Sequence, residues 1–539
     1  MSAPTTPQPA PRKTHTARAT GVVALAVMCS RVLGLVREVA FAALFGGSRL
    51  MDAFQVAFRI PNLLRDLFAE GALSTAFVTT FSKRIAAEGE ASAWQLANKM
   101  VTLTAVFMSG ITLLGILCTP WIVSLLAAGF DDPAQKALTV TLARIMYPFI
   151  LLVSLAALAM GMLNSQKIFG VPAMASSFFN LGSIISGVSI GWFLDPGFGE
   201  KSLAGLAIGT LVGGFLQFAI QLPTLYKTGY RFHLDFSWKD KGVRQVLALM
   251  APAVIAASAV QVNVMVNTTF ASYLGPGAVS WLNWAFRLMQ LPIGLFGVAV
   301  ATVTLPQISA DAGRKDPVAF RDNLAKGIRL AFALTIPCAI GLMVLAEPII
   351  ALIFQYREFK VQDTVEVAGA LRFYATGLVS YSGIKVLAPA FYALDMRKTP
   401  MLISFIAIGT NLVLNWLLTF QLGLGHRGLA LSTGLVASIN FLTLYVLMRN
   451  RLGRLNTIAL LATTAKLAFC GALLALVCYL GAATAIHWAL DKSLFFRALA
   501  LFSTIALAGS ACMGLALLLR IEEIEDFYII IRQKLKPTR

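Results

Sequence analysis

Apolar stretches of about 20 residues recur along almost the whole chain and constrain its fold more than any other feature. They run from about residue 19 to residue 520 with only short polar interruptions. Each stretch can cross a hydrocarbon layer about 30 Å thick as a helix. Only 13% of the residues are charged, whereas a soluble protein carries about 25%. We therefore expect a polytopic membrane protein, and a water-soluble enzyme is excluded.

Helices are expected to form these spans. A lipid-facing barrel would need segments of about ten residues with alternating polarity, and neither half of the sequence contains them. Backbone groups in lipid must be paired within the protein, which leaves the helix as the solution. The apolar stretches divide into about fourteen transmembrane helices.

A weak internal repeat predicts the domain organisation. Four matches share the offset 228, namely Arg59 with Arg287, Leu67 with Leu295, Arg144 with Arg372, and Pro172 with Pro400. The offset joins even-numbered spans to even-numbered spans, so the two halves should have parallel orientation, and transporters of this type place their site between the halves.

The predicted fold is therefore all-α, with two pseudo-symmetric six-helix bundles and two additional C-terminal helices. The predicted boundaries are a disordered tail at 1–17, the bundles at 18–240 and 241–455, the added helices at 456–520 and a cytoplasmic tail at 521–539. A transit peptide is the rival interpretation of the N-terminal residues.

The net charge of +19 would suggest a nucleic-acid ligand in a soluble chain. Here the basic residues concentrate in the loops after even-numbered spans, by roughly three to one. They include Lys83, Arg84, Lys167, Lys227, Arg314, Lys315, Arg397, Lys398, Arg449 and Arg451. The bias predicts that both termini are cytoplasmic, and no nucleic-acid partner is expected.

Motifs for metal, nucleotide or redox chemistry are absent from the sequence. The six cysteines form no C-x-x-C pair, and there is no H-E-x-x-H or G-x-x-x-x-G-K-[ST]. Paired carboxylates next to a loop are also missing, so an enzyme acting on a lipid-linked sugar is the least favoured class. We expect neither enzymatic activity, nor a metal, nor a cofactor.

Arginines inside apolar spans are the main functional signal. The four that we select are Arg31, Arg37, Arg65 and Arg287. An arginine at mid-helix costs about 2.5 to 3.5 kcal/mol on insertion scales, or roughly 10 to 14 kcal/mol for four. These side chains should therefore face water or a partner. Guanidinium groups match phosphate oxygens bidentately, so phosphate or pyrophosphate is the favoured ligand.

Internal ion pairs are the alternative for several in-span charges. Arg31 and Glu38 are seven residues apart, two helical turns on one face, and Arg59 and Asp66 repeat that spacing. Glu70 and Arg372 are equally open to this interpretation. The acidic residues are too few to neutralise all of the arginines.

Helix-bending residues lie beside the arginines. Pro61 in the second span and Pro292 in the eighth each remove a helix hydrogen bond, and Gly34 adds a flexible position. A static kink or close packing of small residues is the alternative.

A group of amides forms a second polar cluster within the spans. Its members are Asn263, Asn267, Asn411 and Asn415, with Thr433. No carboxylate accompanies them, so we predict an interhelical hydrogen-bond cluster in preference to a cation site.

Several motifs resemble the MurJ (MviN) family of lipid II flippases from bacterial inner membranes, and the similarity covers essentially the whole chain. In the first half they are Ser30-Arg31-Val32-Leu33-Gly34, Arg37, Asp52-Ala53-Phe54 and Pro61-Asn62-Leu63-Leu64-Arg65. In the second half they are Val279-Ser280-Trp281, Arg287-Leu288-Met289, Lys385-Val386-Leu387-Ala388-Pro389 and Lys398-Thr399-Pro400.

This resemblance implies a flippase that moves lipid II from the cytoplasmic to the periplasmic leaflet of the inner membrane by alternating access. It implies a cationic cavity lined by the four arginines with Ser30, Asp52 and Asn62, and a groove for the lipid tail at 456–520. Membrane lipids and the cell-wall synthesis machinery are the implied further partners. The membrane potential or an ion gradient is the expected energy source.

The sequence departs from the family pattern at three places. Some members have a basic residue at the position of Asp66 and an acidic one at that of Gln290. Asn415, with Asn263 or Asn267, stands where some members have sodium-binding carboxylates, so sodium dependence is not expected.

Two other functions stay open. One is a drug or polysaccharide-lipid exporter of the same multidrug/oligosaccharidyl-lipid/polysaccharide superfamily. The other is a non-transporting scaffold that binds anionic lipid, which would place its basic residues at the membrane interface instead of in mid-span.

Overall fold

The computed structural model describes residues 13–68 and 73–525, and all regular secondary structure in these two stretches is helical. The helices are α1 Lys13–Phe45, α2 Arg49–Leu67, α3 Ser74–Glu88, α4 Glu90–Leu126, α5 Pro133–Met146, α6 Phe149–Ser165, α7 Gly170–Leu194, α8 Ser202–Ala219, α9 Leu222–Lys227, α10 Lys241–Ser272, α11 Ala278–Pro292, α12 Val298–Arg314, α13 Pro317–Val344, α14 Ala346–Phe354, α15 Val361–Ala393, α16 Lys398–Trp416, α17 Gly425–Leu452, α18 Thr457–Gly481, α19 His487–Ala489 and α20 Leu494–Leu518. Three π-helical turns continue α11, α16 and α18, at Ile293–Gly297, Leu417–Gln421 and Ala482–Ile486.

The predicted all-α membrane fold is confirmed. Ten of the described helical segments are long and apolar enough to cross a membrane, or eleven if the bent pair Lys241–Ile255 and Val260–Ser272 forms one span. Helices α1, α2 and α15 are not among the ten, and these three carry most of the in-span charges. The number fourteen stays a prediction.

Contacts divide the chain into two compact units. The first contains residues 1–41, 53–124 and 132–258, and the second contains residues 42–52, 125–131 and 259–539. The predicted boundaries at residues 240 and 455 stay predictions.

Helices α7 and α8 of the first unit approach each other closely through glycines. Gly205, Gly209 and Gly213 repeat every four residues along α8. A methyl group on Gly205 would overlap the backbone of Gly191 in α7, and one on Gly209 would overlap that of Gly187. Small residues permit such an approach in lipid, where van der Waals packing drives helix association.

Arg144 in α5 and Arg372 in α15 make the same kind of contact, each within its own unit. Arg144 Nε donates to the carbonyl oxygen of Ile116 at 3.2 Å, and Arg372 Nε donates to that of Met343 at 3.3 Å. Pro120 has no N–H for the Ile116 carbonyl, four residues before it, so the arginine pairs an acceptor that the helix leaves unpaired. Met343 lies in the last turn of α13, where carbonyl groups lack helical donors. This equivalence supports the predicted repeat.

The segment after α20 packs on the core of the second unit instead of starting a tail at residue 521. Ile521 and Ile524 are buried. Glu523 is also buried and pairs with Arg329 of α13. The sequence predicted a tail here because it does not show that Glu523 has a partner on α13. Residues 526–539 lie outside the described part of the chain.

The N-terminal boundary also differs from the prediction. Helix α1 begins at Lys13, so residues 13–17 are helical and not a disordered tail. Pro11 is the last proline before this helix, and no later residue prevents helix formation. Residues 1–12 lie outside the described residues.

An extended segment between α9 and α10, residues 228–240, is fastened to α4 in the first unit; we refer to it as the strap. The side chain of Asn98 donates to the carbonyl of Arg231 at 3.2 Å and accepts from the N–H of His233 at 3.3 Å. Thr102 Oγ1 accepts from the N–H of Asp235 at 3.2 Å. Alternate backbone groups of the strap are thus paired with α4.

Asp240 closes the strap. It accepts hydrogen bonds from Arg84 at 2.8 Å, from Lys99 at 2.8 Å and from the N–H of Gly242 at 2.7 Å. Burial alone would raise the pKa of Asp240, but the bonds from Arg84 and Lys99 hold that pKa well below its usual value of 3.8. The ionised carboxylate therefore stabilises the strap above that value, and this contribution is lost as the pH falls through the lowered folded-state pKa.

Replacing Asp240 by asparagine is expected to loosen the strap. Amide hydrogen exchange in residues 231–240 should accelerate roughly 10- to 100-fold at neutral pH, because hydrogen bonds to a charged group contribute about 1.5 to 3 kcal/mol. The difference in exchange rate between the variant and the wild type should shrink in acid, because the Asp240 carboxylate then becomes protonated. Glu88→Gln is the matched control, since the Glu88 carboxylate contacts the same Arg84 but is exposed. Equal acceleration of exchange by both variants would contradict the role of Asp240 in stabilising the strap.

Candidate functional site

Two of the selected arginines lie on α1, and their environments differ. Arg31 is exposed, whereas Arg37 is buried. Arg37 pairs with Glu38 at 3.0 Å. Its guanidinium group also lies 5.7 Å from the ring centroid of Phe58 and 5.3 Å from that of Phe179. Arg37 is therefore held between two aromatic rings beside its partner Glu38, and its contact with a ligand stays a prediction.

The ion pair of α1 differs from the one predicted by helical spacing. Glu38 pairs with Arg37 instead of Arg31, and in α2 Asp66 pairs with its neighbour Arg65. Residues seven apart share a face, but sequence neighbours reach each other here through the length of the arginine side chain. The predicted alternative of an internal ion pair does hold for Arg372, which pairs with Glu347 at 2.8 Å.

Helix α2 presents an amide and a guanidinium group one turn apart. Arg65 is half-buried, and its Nη2 lies 3.0 Å from Asp66 Oδ1. Asn62, three residues earlier on the same face, has a buried Oδ1 that accepts no hydrogen bond from any described residue. An unsatisfied buried acceptor is costly, which marks Asn62 as a position for a polar ligand group. Pro61 lies inside α2 without ending it.

Ser30 and Gly34 lie against α7. The side-chain amide of Asn180 donates to the carbonyl of Ser30 at 3.1 Å. A methyl group on Gly34 would lie 3.5 Å from that amide nitrogen, an ordinary contact, so packing does not require glycine there. Sequence reasoning missed Asn180, the only amide side chain in α7.

Arg287 lies half-buried on α11, one turn and a half before the end of that helix at Pro292. The π-helical turn Ile293–Gly297 follows directly, closed by a bond from the N–H of Val298 to the carbonyl of Ile293. A π-turn in a helix is a common feature of functional sites. The predicted bending point at Pro292 is thus a proline followed by a π-turn.

Asp52 caps the N-terminus of α11. Its carboxylate accepts from the N–H of Gly277 at 2.6 Å, from the N–H of Ser280 at 2.9 Å and from Ser280 Oγ at 2.6 Å. Both partners lie in the second unit, as does Asp52. The residue is 1% exposed and both carboxyl oxygens accept hydrogen bonds, so it positions the start of α11. Its contact with a ligand stays a prediction. Ser280 was missed, although 280 minus 52 is 228, the repeat offset.

The hydrogen bonds of Asp363, next to this cap, require a glycine at position 47. Trp281 Nε1 donates to Asp363 Oδ1 at 2.7 Å, and the N–H of Lys360 donates to Asp363 Oδ2 at 2.9 Å. A methyl group on Gly47 would overlap both the indole nitrogen and the carboxylate. Gly47 thus permits close approach.

Gly47→Ala is expected to lower the melting temperature of the purified protein, since overpacking costs about 1 to 3 kcal/mol. Gly409→Ala is the matched control, because open space surrounds that position in α16. Unfolding followed by intrinsic fluorescence in detergent measures both. A melting temperature for Gly47→Ala equal to that of Gly409→Ala would contradict the packing account.

Three of the four predicted amides form an interhelical network with Thr433 in the second unit, whereas the buried Oδ1 of Asn263 accepts no hydrogen bond from any described residue. Asn415 donates to Asn267 at 2.7 Å and to Asn411 at 3.0 Å. Asn267 in turn donates to Thr433 at 3.3 Å. Among the remaining in-span charges, Lys385 is exposed, and Glu70 lies outside the described residues.

Comparison with known proteins gives a consistent result. The family model "Lipid II flippase MurJ" matches residues 41–499. The lipid II flippase MurJ of Burkholderia cenocepacia is 39% identical over 429 residues, covering 79% of this chain and 82% of that protein. The probable lipid II flippase MurJ of Bdellovibrio bacteriovorus is 34% identical over 506 residues, covering 93% and 94%.

Solved structures agree with this result. A structure of lipid II flippase MurJ in an inward closed conformation matches with a TM-score of 0.73 and 26% identity, covering 90% of this chain and 98% of that one. An inward-facing multidrug resistance MATE family transporter of the MOP superfamily matches with a TM-score of 0.68 at 16% identity, covering 81% and 98%. The second likeness concerns the fold alone.

Proposed function

Since the chain belongs to the lipid II flippase MurJ family, we propose that it translocates lipid II from the cytoplasmic to the periplasmic leaflet of the bacterial inner membrane. The observation that carries the proposal is the family match over residues 41–499, which includes two of the selected arginines, Arg65 and Arg287. The drug or polysaccharide exporter and the non-transporting scaffold are not favoured.

The pyrophosphate of lipid II is the group that we assign to the arginines. Arg31, Arg65 and Arg287 supply guanidinium forks, which bind phosphate oxygens bidentately. Asn62 and Ser30 add polar groups on α2 and α1. Arg37 and Asp52, which the sequence placed among ligand contacts, are buried and act as positioning residues for α1 and α11.

Alternating access is the proposed mechanism, with one substrate site exposed in turn to each leaflet. Bending at Pro61 in α2, at Gly34 in α1 and at Pro292 with its π-turn would allow it. A bound ligand shifts such an equilibrium only through different affinity for the two states. The anionic headgroup provides this difference by partly neutralising the arginines.

The membrane potential is the proposed energy source, without a cofactor. Returning a cationic site across the membrane involves about 2.3 kcal/mol per charge at 100 mV. Dissipating the potential with a potassium ionophore should therefore stop translocation in cells. Collapsing the pH gradient with the potential maintained is the control. Continued flipping without a potential would point to another source.

The direct test of function is leaflet-specific labelling of lipid II after acute loss of this protein. We expect lipid II to accumulate in the cytoplasmic leaflet within one generation, while its total amount holds or rises. Unchanged exposure at the periplasmic face would refute the proposed function. The inner-membrane location, cytoplasmic termini and contact with the cell-wall machinery are further proposals, which terminal reporter fusions and crosslinking would test.

A further inference from the structure

The strap carries an exposed apolar face that the flippase function does not use. Phe232, Leu234 and Phe236 are 47%, 69% and 60% exposed. Alternate side chains of an extended segment point the same way, and the residues between them are those whose backbone groups pair with Asn98 and Thr102 of α4. One face of the strap is therefore apolar and uncovered within the described structure.

The depth of the strap follows from its attachment to α4. This helix has 37 residues and is about 55 Å long at 1.5 Å per residue, longer than the hydrocarbon layer of about 30 Å. Lys99 is its last charged residue, and from Met100 to Leu126 it is uncharged. This uncharged part is about 40 Å long, so a hydrocarbon layer of about 30 Å begins within about two turns after Lys99. Thr102, which binds the strap at Asp235, lies at this boundary, so the apolar face lies at the level of the membrane interface.

The charge around the strap is positive. The exposed basic residues beside it are Lys227, Arg231, Lys239, Lys241 and Arg244. Its two carboxylates are already engaged, Asp235 with the N–H of Ser237 at 2.9 Å and Asp240 with Arg84 and Lys99. Aromatic side chains flanked by basic residues at this depth fit a surface of anionic headgroups.

We propose that the strap is an interfacial anchor that inserts Phe232, Leu234 and Phe236 into an anionic phospholipid surface. The anchor fixes the depth of the first unit and holds the start of α10 at the membrane surface. A membrane fits these observations better than a protein partner, because the apolar face lies at the hydrocarbon boundary of α4 and basic residues surround it.

Spin-label accessibility in vesicles tests this proposal. A nitroxide on Leu234→Cys is compared with one on Glu200→Cys, an exposed position in the loop before α8. The native cysteines are replaced in a background that still translocates lipid II. We expect the label at 234 to collide with oxygen more than with an aqueous nickel complex, and the label at 200 to show the reverse.

Varying the lipid composition tests the contribution of the basic residues around the strap. Vesicles of phosphatidylcholine with phosphatidylglycerol are compared with phosphatidylcholine alone. In the anionic vesicles, Lys239→Gln with Lys241→Gln should lower the equilibrium constant for immersion roughly 30-fold, because each basic residue near such a surface contributes about 1 kcal/mol.

Three results would overturn the proposal. A label at 234 as water-accessible as that at 200 would mean that no lipid contact exists. A label at 234 shielded from both reagents would mean that protein covers the strap. Equal immersion in the two vesicle types would remove the role of the anionic headgroups.

Discussion

Arg287→Ala is expected to reduce lipid II translocation about 100-fold, because a bidentate guanidinium–phosphate contact provides two charge-assisted hydrogen bonds. The protein should remain folded and in the membrane, since Arg287 is half-buried on α11 and outside the apolar core of the second unit. Translocation is measured as the fraction of lipid II accessible at the outer leaflet in cells that depend on the variant.

Two matched variants separate charge from geometry. Arg287→Lys keeps the charge but loses the planar fork, so we expect an intermediate loss of about 10-fold. Arg314→Ala removes an arginine at the end of the following helix, where the side chain is 75% exposed, and should leave translocation unchanged. Full activity of Arg287→Ala would exclude this residue from substrate binding.

Asp52→Ala is expected to destabilise the second unit by about 3 to 5 kcal/mol, because it leaves three buried donors at the start of α11 without their acceptor. The loss should appear as a lower melting temperature and as faster hydrogen exchange in the first turn of α11. Translocation should fall in parallel, since α11 carries Arg287.

The Ser280→Ala variant provides the control for this cap. Asp52→Ala with Ser280→Ala should cost less than the sum of the single variants, because the residues share hydrogen bonds. Asp52→Asn keeps one acceptor oxygen and should be milder than Asp52→Ala. Strict additivity, with normal exchange at the start of α11, would contradict the capping role.

The charges inside the spans were predictable from the sequence, but their partners were not. An arginine in an apolar stretch is visible because burial of a charge is costly. The choice between Arg31 and Arg37 as the partner of Glu38 depends on rotamers and on the rings of Phe58 and Phe179, which come from other helices. Tertiary packing, not helical spacing, therefore decided which arginines were neutralised.

The repeat was predictable from one offset, and Arg144 and Arg372 show its structural meaning. Both donate to helix carbonyls that lack a donor. The same offset relates Asp52 to Ser280, but an acidic residue and a serine do not match in a comparison of identities. The contact could have been found only by asking which polar residues occupy equivalent positions.

Local backbone features were the least predictable part of the fold. Pro292 predicted a bend, whereas the structure adds a π-helical turn, and two further π-turns arise without proline. The role of Gly47 follows from the indole and carboxylate beside it. These contacts join residues more than 200 positions apart, which no local pattern reveals.

The central claim is that guanidinium groups recognise the pyrophosphate of the substrate, and retention of lipids by the purified protein in native mass spectrometry tests it most directly. The protein should retain lipid II in preference to an otherwise identical lipid that lacks the pyrophosphate, and Arg287→Ala should remove most of this preference. Equal retention of the charged and the uncharged lipid by the wild-type protein would contradict the account.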